Sequence, residues 1–168
     1  MTKQVTPAVR IQKARTVLLL DHPFFGSPLF RLGGRTSNSI QTMATDGVSL
    51  FYNPAFVETP DAAELAGVLA HEVTHPALQH HMRRGDGDRK RWNMACDYAI
   101  NPLLLDAGLT LPKDVLFDHR FRGMSAERIY NLIEERRDQD GSNGERENQD
   151  GASSDGDGGK QADDTRGL

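Results

Sequence analysis

His71-Glu72-Val73-Thr74-His75 is an H-E-x-x-H motif. Histidines four apart share one face of an α-helix, because a turn takes about 3.6 residues. Their imidazoles can grip one Zn²⁺, and the glutamate beside the first can handle a water on the metal. With 6 histidines in 168 residues, composition alone gives about 0.01 chance occurrences of the motif.

A catalytic zinc usually takes three protein ligands and leaves one position open. Beyond His71 and His75, the candidates are His80, His81 and Asp97, with Asn93, Asn101 and His119 as weaker ones. His81 has the spacing of H-E-x-x-H-x-x-G-x-x-H, but Leu78 stands where that pattern turns back on a glycine. On a continuing helix, His80 and His81 point about 140° and 120° away from His75, on opposite sides. Both are therefore expected to be exposed and off the metal, with His81 able to line a groove. Asp97 fits better. A helix past His75 to Arg84 runs about 14 Å, and a return from Arg91 to Asp97 covers about 9 Å. A turn over Gly85 to Lys90 then brings Asp97 near the level of His75. Asn93 and Asn101 share its face and could orient a ligand, although Asn101 could equally cap a helix. Cys96 points about 100° from Asp97 and reads as buried core.

Several elements must position these residues. Asp61 and Glu64 can form a capping box, or Thr59 can cap with Pro60 in the first turn. Leu65, Val68 and Leu69 have helical spacing, and Gly85 can stop the chain in the left-handed region. One helix from about residue 60 to 84 follows, kinked after His75 because Pro76 cannot bond to the Glu72 carbonyl. Upstream, Pro7 to Asp21 reads as a helix, and His22-Pro23 ends it. Pro28 to Leu32 is a short strand candidate. Ile40 to Thr45 and Val48 to Tyr52 flank Asp46-Gly47, a strong hairpin signal. An exposed edge strand before a metal helix can hold an extended peptide by main-chain hydrogen bonds. Trp92 to Asn101 reads as a second helix, with Pro102 to Ala107 as a fresh piece ending at Gly108. After an irregular loop, Ser125 caps a last helix from Ala126 to about Arg137, with Ile129, Leu132 and Ile133 inward.

The overall hydrophobic content, 37 %, is low because of the last residues. From Asp138 to Leu168 there are nine acids and three bases, leaving 15 acids and 17 bases in the body. Such a tail is too polar to offset its ordering entropy and is expected to be disordered. The near-neutral body argues against a nucleic-acid partner. The single cysteine excludes an internal disulfide and fits a reducing compartment. Val17 to Leu20 is too short for a signal peptide or a membrane span, so a cytoplasmic protein without membrane contact is expected.

With these pieces assembled, the chain resembles the bacterial and phage metallopeptidase domains that often precede a von Willebrand A-like domain. The matching pieces are Pro23-Phe24-Phe25-Gly26, Thr45-Asp46-Gly47 with Tyr52-Asn53-Pro54, the H-E-x-x-H motif with Leu78 and His80-His81, Trp92 to Asp97 with Ile100-Asn101-Pro102, and Gly123 to Glu127 with Ile129-Tyr130. The match covers about residues 5 to 135. The resemblance implies a small α+β, zincin-like fold with His71, His75 and Asp97 on zinc and Glu72 as base. Two departures are expected from that pattern: an acidic tail in place of a von Willebrand A-like domain, and Pro76 just after the motif.

The expected organisation is a metallopeptidase domain over residues 1–137 and an acidic tail over 138–168. The fold expected is an N-terminal helix, a β-hairpin or small antiparallel sheet, two active-site helices and a C-terminal helix. The expected activity is zinc-dependent hydrolysis of a protein or peptide with Glu72 moving the proton; the sequence does not identify the oxyanion donor, and the two candidates, Tyr98 and His119, read first as structural residues. The alternative is a non-proteolytic zinc module that binds a partner protein. Glu72 argues against it, since a purely structural zinc site needs no base.

Overall fold

The structure is a computed structural model and describes residues 5–133. The acidic tail and the stretch 134–137, where the last helix was expected to end, lie outside the described residues.

Helix α1 (Pro7–Asp21) starts where Thr6 Oγ1 accepts from the Val9 amide, with proline in its first turn. Ile11, Ala14 and Leu18 face the core, while Val9 and Val17 stay exposed. The chain then makes a second helix, α2 (Pro23–Leu29), where a strand was expected over Pro28 to Leu32. Pro23 pre-sets the helical φ of the first turn. Phe25 and Leu29, one turn apart, are both buried. Gly26 lets α2 touch α1, since a Cβ there would lie 2.4 Å from Leu19 Cα. The apolar residues at 25 and 29 thus obey a helical period, which overrides the strand-like composition after Pro28.

The sheet has order β1-β3-β2, with β1 (Gly33–Thr36) parallel to β3 (Ser49–Tyr52) and β2 (Met43–Thr45) antiparallel to it. The expected hairpin is present, and Asp46 Oδ1 accepts from the Val48 and Ser49 amides in its turn. Gly47 takes φ +85°, a conformation that favours glycine. The parallel strand β1 makes the sheet mixed rather than wholly antiparallel.

After α3 (Pro54–Val57), the capping box at Asp61 and Glu64 opens α4 (Ala62–Ala77). Leu65, Leu69 and Val73 recur every fourth residue and are at most 2 % exposed. Each is worth about 1.5–3 kcal/mol relative to exposure. Gly67 brings α4 against the loop at Thr110, whose carbonyl oxygen would lie 1.9 Å from an added Cβ.

The long helix expected from 60 to 84 is broken. It ends at Ala77, Gln79 adopts φ 55° and ψ 32°, and a short helix α5 (His80–Arg83) restarts. Pro76 supplies no amide hydrogen to the Glu72 carbonyl, and the chain leaves the helix just after it, with the Leu78 amide on the Thr74 carbonyl at 2.9 Å and the Gln79 amide on the Pro76 carbonyl at 3.0 Å. Helix α6 (Arg89–Asp106) is likewise different from expectation: it runs on through Pro102 as one piece. Its apolar stripe through Ile100 and Leu104 is fully buried, and that packing outweighs one lost backbone hydrogen bond. A 3-10 turn (His119–Phe121) and α7, described over 126–133, complete the fold. Ile129 of α7 is fully buried, and Tyr130 packs beside Trp92. Among the described residues, no helix is long and apolar enough to cross a membrane.

Candidate metal centre

The capping box and core stripe of α4 set its rotation, and that rotation turns His71 and His75 away from the core together. Helix α6 packs on α4 and presents Asn93, Asp97 and Asn101 at four-residue intervals. The outcome is a tight group of donors. His71 Nε2 lies 3.1 Å from His75 Nε2. Asp97 Oδ1 is 3.4 Å from the first and 3.5 Å from the second. All three residues are half-buried, and their donor atoms could hold one metal ion.

His71 is held from behind. Asn101 is 1 % exposed, its Oδ1 is 2.9 Å from His71 Nδ1, and its Nδ2 donates to the Leu116 carbonyl at 2.8 Å. With the amide fixed that way, the ring donates its Nδ1–H, and in the neutral imidazole this leaves the lone pair on Nε2. Asn101 therefore does not cap a helix, as one reading of the sequence had it.

His80 departs most from expectation. It is 3 % exposed rather than on the surface, and its Nδ1 lies 3.3 Å from His75 Nδ1. The left-handed turn at Gln79 swings it inward, so continuous helical geometry no longer applies. Its ring meets Trp92 edge-on, and the Trp92 indole donates to its backbone carbonyl at 2.8 Å. Cys96 is buried as expected, yet its thiol also comes within 4.8 Å of donor atoms of His75 and His80. Pro76 was the available sign that the helix would be disturbed here.

The charges differ sharply between neighbours. Burial alone would raise the Asp97 carboxyl, but hydrogen bonds from His71 and His75 bring it down to about 2. Burial disfavours the charged form of His71, yet Asp97, Glu72 and Asn101 together hold its pKa above the ordinary value. Burial pushes Glu72 upward, partly countered by His71 and His75. His80 is pushed down to about 4 by burial, and Cys96 up to about 12 by burial with Asp97 adding to it. At neutral pH Asp97 is thus an anion, whereas Cys96 keeps its proton.

The group opens into a cleft of about 600 Å³, lined by residues 42–45 of the hairpin together with His71, Glu72, His75 and Asp97. Asn93, His81, Arg84 and Arg89 also line it, and Asn93 and His81 are exposed. Gly47 at the hairpin turn approaches Pro76, 3.8 Å from where a Cβ would stand. Tyr98 and His119 are placed differently. Tyr98 packs edge-on against Phe121, and His119 lies exposed against Phe117.

A family profile described as "Putative metallopeptidase domain" matches residues 6–167. The chain belongs to this family. The family's description implies a metal. An uncharacterized protein of Thermotoga maritima is 36 % identical over 85 residues, covering 48 % of this chain and 21 % of the relative. The aligned part thus spans about a fifth of that relative's length. No solved structure matches the chain.

Proposed function

We propose that this domain is a zinc-dependent peptidase in which His71, His75 and Asp97 hold the metal and Glu72 is the general base. The observation that carries this reading is the spacing of the three donor atoms, 3.1 to 3.5 Å. Tetrahedral zinc with bonds of about 2.0–2.2 Å sets donor separations of about 3.3–3.6 Å, which the two Asp97 separations meet and the His71–His75 separation of 3.1 Å nearly reaches. The donor set of two neutral imidazoles and a carboxylate also suits zinc, and leaves one position for substrate or water.

The chemistry such a zinc supplies is acidification of a water molecule and polarisation of a carbonyl. The chain's own residues would do the rest. Asn101 holds His71 in the Nδ1–H tautomer, with the lone pair on Nε2. Glu72, half-buried beside the histidines in the cleft wall, takes a proton from the attacking water and passes it to the departing amine. Strand β2 is an edge of the sheet and borders the cleft. The Asn53 amide bonds to the Thr42 carbonyl and the Asp46 amide to the Ser49 carbonyl. By the alternation of an antiparallel ladder, Ala44 then faces β3, and the backbone groups of Met43 and Thr45 point the other way. An extended peptide adding to that edge would lie beside the histidines. In this reading residues 1–137 form the catalytic domain, and the acidic tail is not required for the chemistry.

Proteolysis assays on the zinc-loaded protein with a mixture of unstructured polypeptides test the proposal. Cleavage is expected from the wild type and not from Glu72→Gln at equal zinc content. Equal cleavage by both would remove Glu72 from the mechanism. Full zinc binding with no cleavage of any polypeptide would favour a non-proteolytic binding module.

A further inference from the structure

We infer that His80 is a positioning residue for His75: its Nδ1 accepts the Nδ1–H of His75, fixing the ring so that Nε2 faces the metal. This rests on the metal site proposed above.

The geometry asks for such a group. His75 Nε2 is committed to the cluster with His71 and Asp97. Its other nitrogen, Nδ1, faces His80 Nδ1 at 3.3 Å. Two ring nitrogens at that distance make a hydrogen bond when one carries the proton and the other a lone pair. A His75 that coordinates through Nε2 must carry its proton on Nδ1, so His80 is the acceptor.

His80 is itself built into place. It is 3 % exposed. Its ring is flanked by His75 at 5.4 Å and by Trp92 at 6.1 Å, and its carbonyl is bonded by the Trp92 indole. It reaches this position only because Gln79 adopts a left-handed conformation that costs a non-glycine residue about 1–2 kcal/mol. The two histidines of the motif would then have different supports, an amide for His71 and an imidazole for His75.

A competing use of the same residues exists. His75, His80 and Cys96 are themselves a group of donors within 4.8 Å of one another. If they were the ligand set, His75 would coordinate through Nδ1 and Cys96 would be essential.

The test uses the full chain loaded with zinc, as wild type, His80→Phe, His80→Asn and Cys96→Ser. Long-range ¹H–¹⁵N NMR of the wild type reports the tautomer of His75 and needs no variant. Zinc affinity is measured by competition with a chelator. The expected result is His75 protonated on Nδ1, with His80→Phe binding zinc about 10- to 100-fold more weakly. His80→Asn, whose Oδ1 falls near the place of Nδ1, should recover most of that loss, and Cys96→Ser should bind like the wild type. Unchanged affinity in a folded His80→Phe, or equal loss in the Phe and Asn variants, would overturn the positioning role while leaving the zinc site standing. A His75 protonated on Nε2, with zinc lost in Cys96→Ser, would overturn both and favour the thiol set. A wild type that takes up no zinc would likewise overturn both.

Discussion

His71 and His75 sit one helical turn apart, yet their surroundings are built differently. His71 stands on a regular stretch of α4, backed by Asn101 of an unbroken α6 and, through it, by the Leu116 carbonyl. His75 stands at the last turn, beside Pro76, and meets a histidine delivered by a left-handed residue. The first support follows from helical periodicity on two packed helices. The second depends on a break in the chain and on the packing of Trp92 against His80. A donor cluster of this size can therefore draw one half of its order from regular structure and the other half from its interruption.

The largest expected effect separates holding the metal from using it. Glu72→Gln should lower peptidase turnover by about 10²–10⁴-fold, the usual range for a general base, while zinc content stays at the wild-type level. Loss of zinc in that variant would mean that Glu72 supports the ligands instead.

On the His71 side, Gly67→Ala should be costly. The new Cβ would meet the Thr110 carbonyl, 1.9 Å away before any adjustment. Overpacking of this kind costs about 1–3 kcal/mol, read as a lower denaturant midpoint. A neutral result would show that the loop before Leu116 yields easily, and the contrast between a rigid and an interrupted side would weaken.

Asn101→Ala should weaken zinc binding by about 10- to 100-fold, measured by chelator competition. A loss much smaller than that in His80→Phe would reverse the comparison and make His75 the better supported ligand.

The smallest effect sits at the break. Gln79→Gly removes the Cβ that disfavours the left-handed region, at some cost in unfolded-state entropy, so a net gain of about 0.5–1 kcal/mol is expected. Zinc affinity should not change. A drop in either quantity would show that the Gln79 side chain holds α5 in place.

Much of the scaffold was legible because it follows local rules. The bounds of α1 came from Pro7 and His22-Pro23, the start of α4 from its capping box, and the hairpin from Asp46-Gly47. The meeting of His71, His75 and Asp97 could be anticipated from helical periodicity and chain length. What could not be read depends on tertiary contact. Nothing local reveals that α2 packs on α1 through Gly26, or that buried packing carries α6 through Pro102. The inward turn of His80 was hidden for a similar reason. A one-residue excursion at Gln79 reorients everything after it, and a glutamine carries no signal for that conformation as a glycine would.

The most direct measurement is zinc per chain, by mass spectrometry under native conditions, for the wild type, Asp97→Ala and Cys96→Ser. The proposed site predicts about one zinc in the wild type and in Cys96→Ser, and little in Asp97→Ala. Zinc retained in Asp97→Ala but lost from Cys96→Ser would contradict it and move the metal to the His75, His80 and Cys96 group.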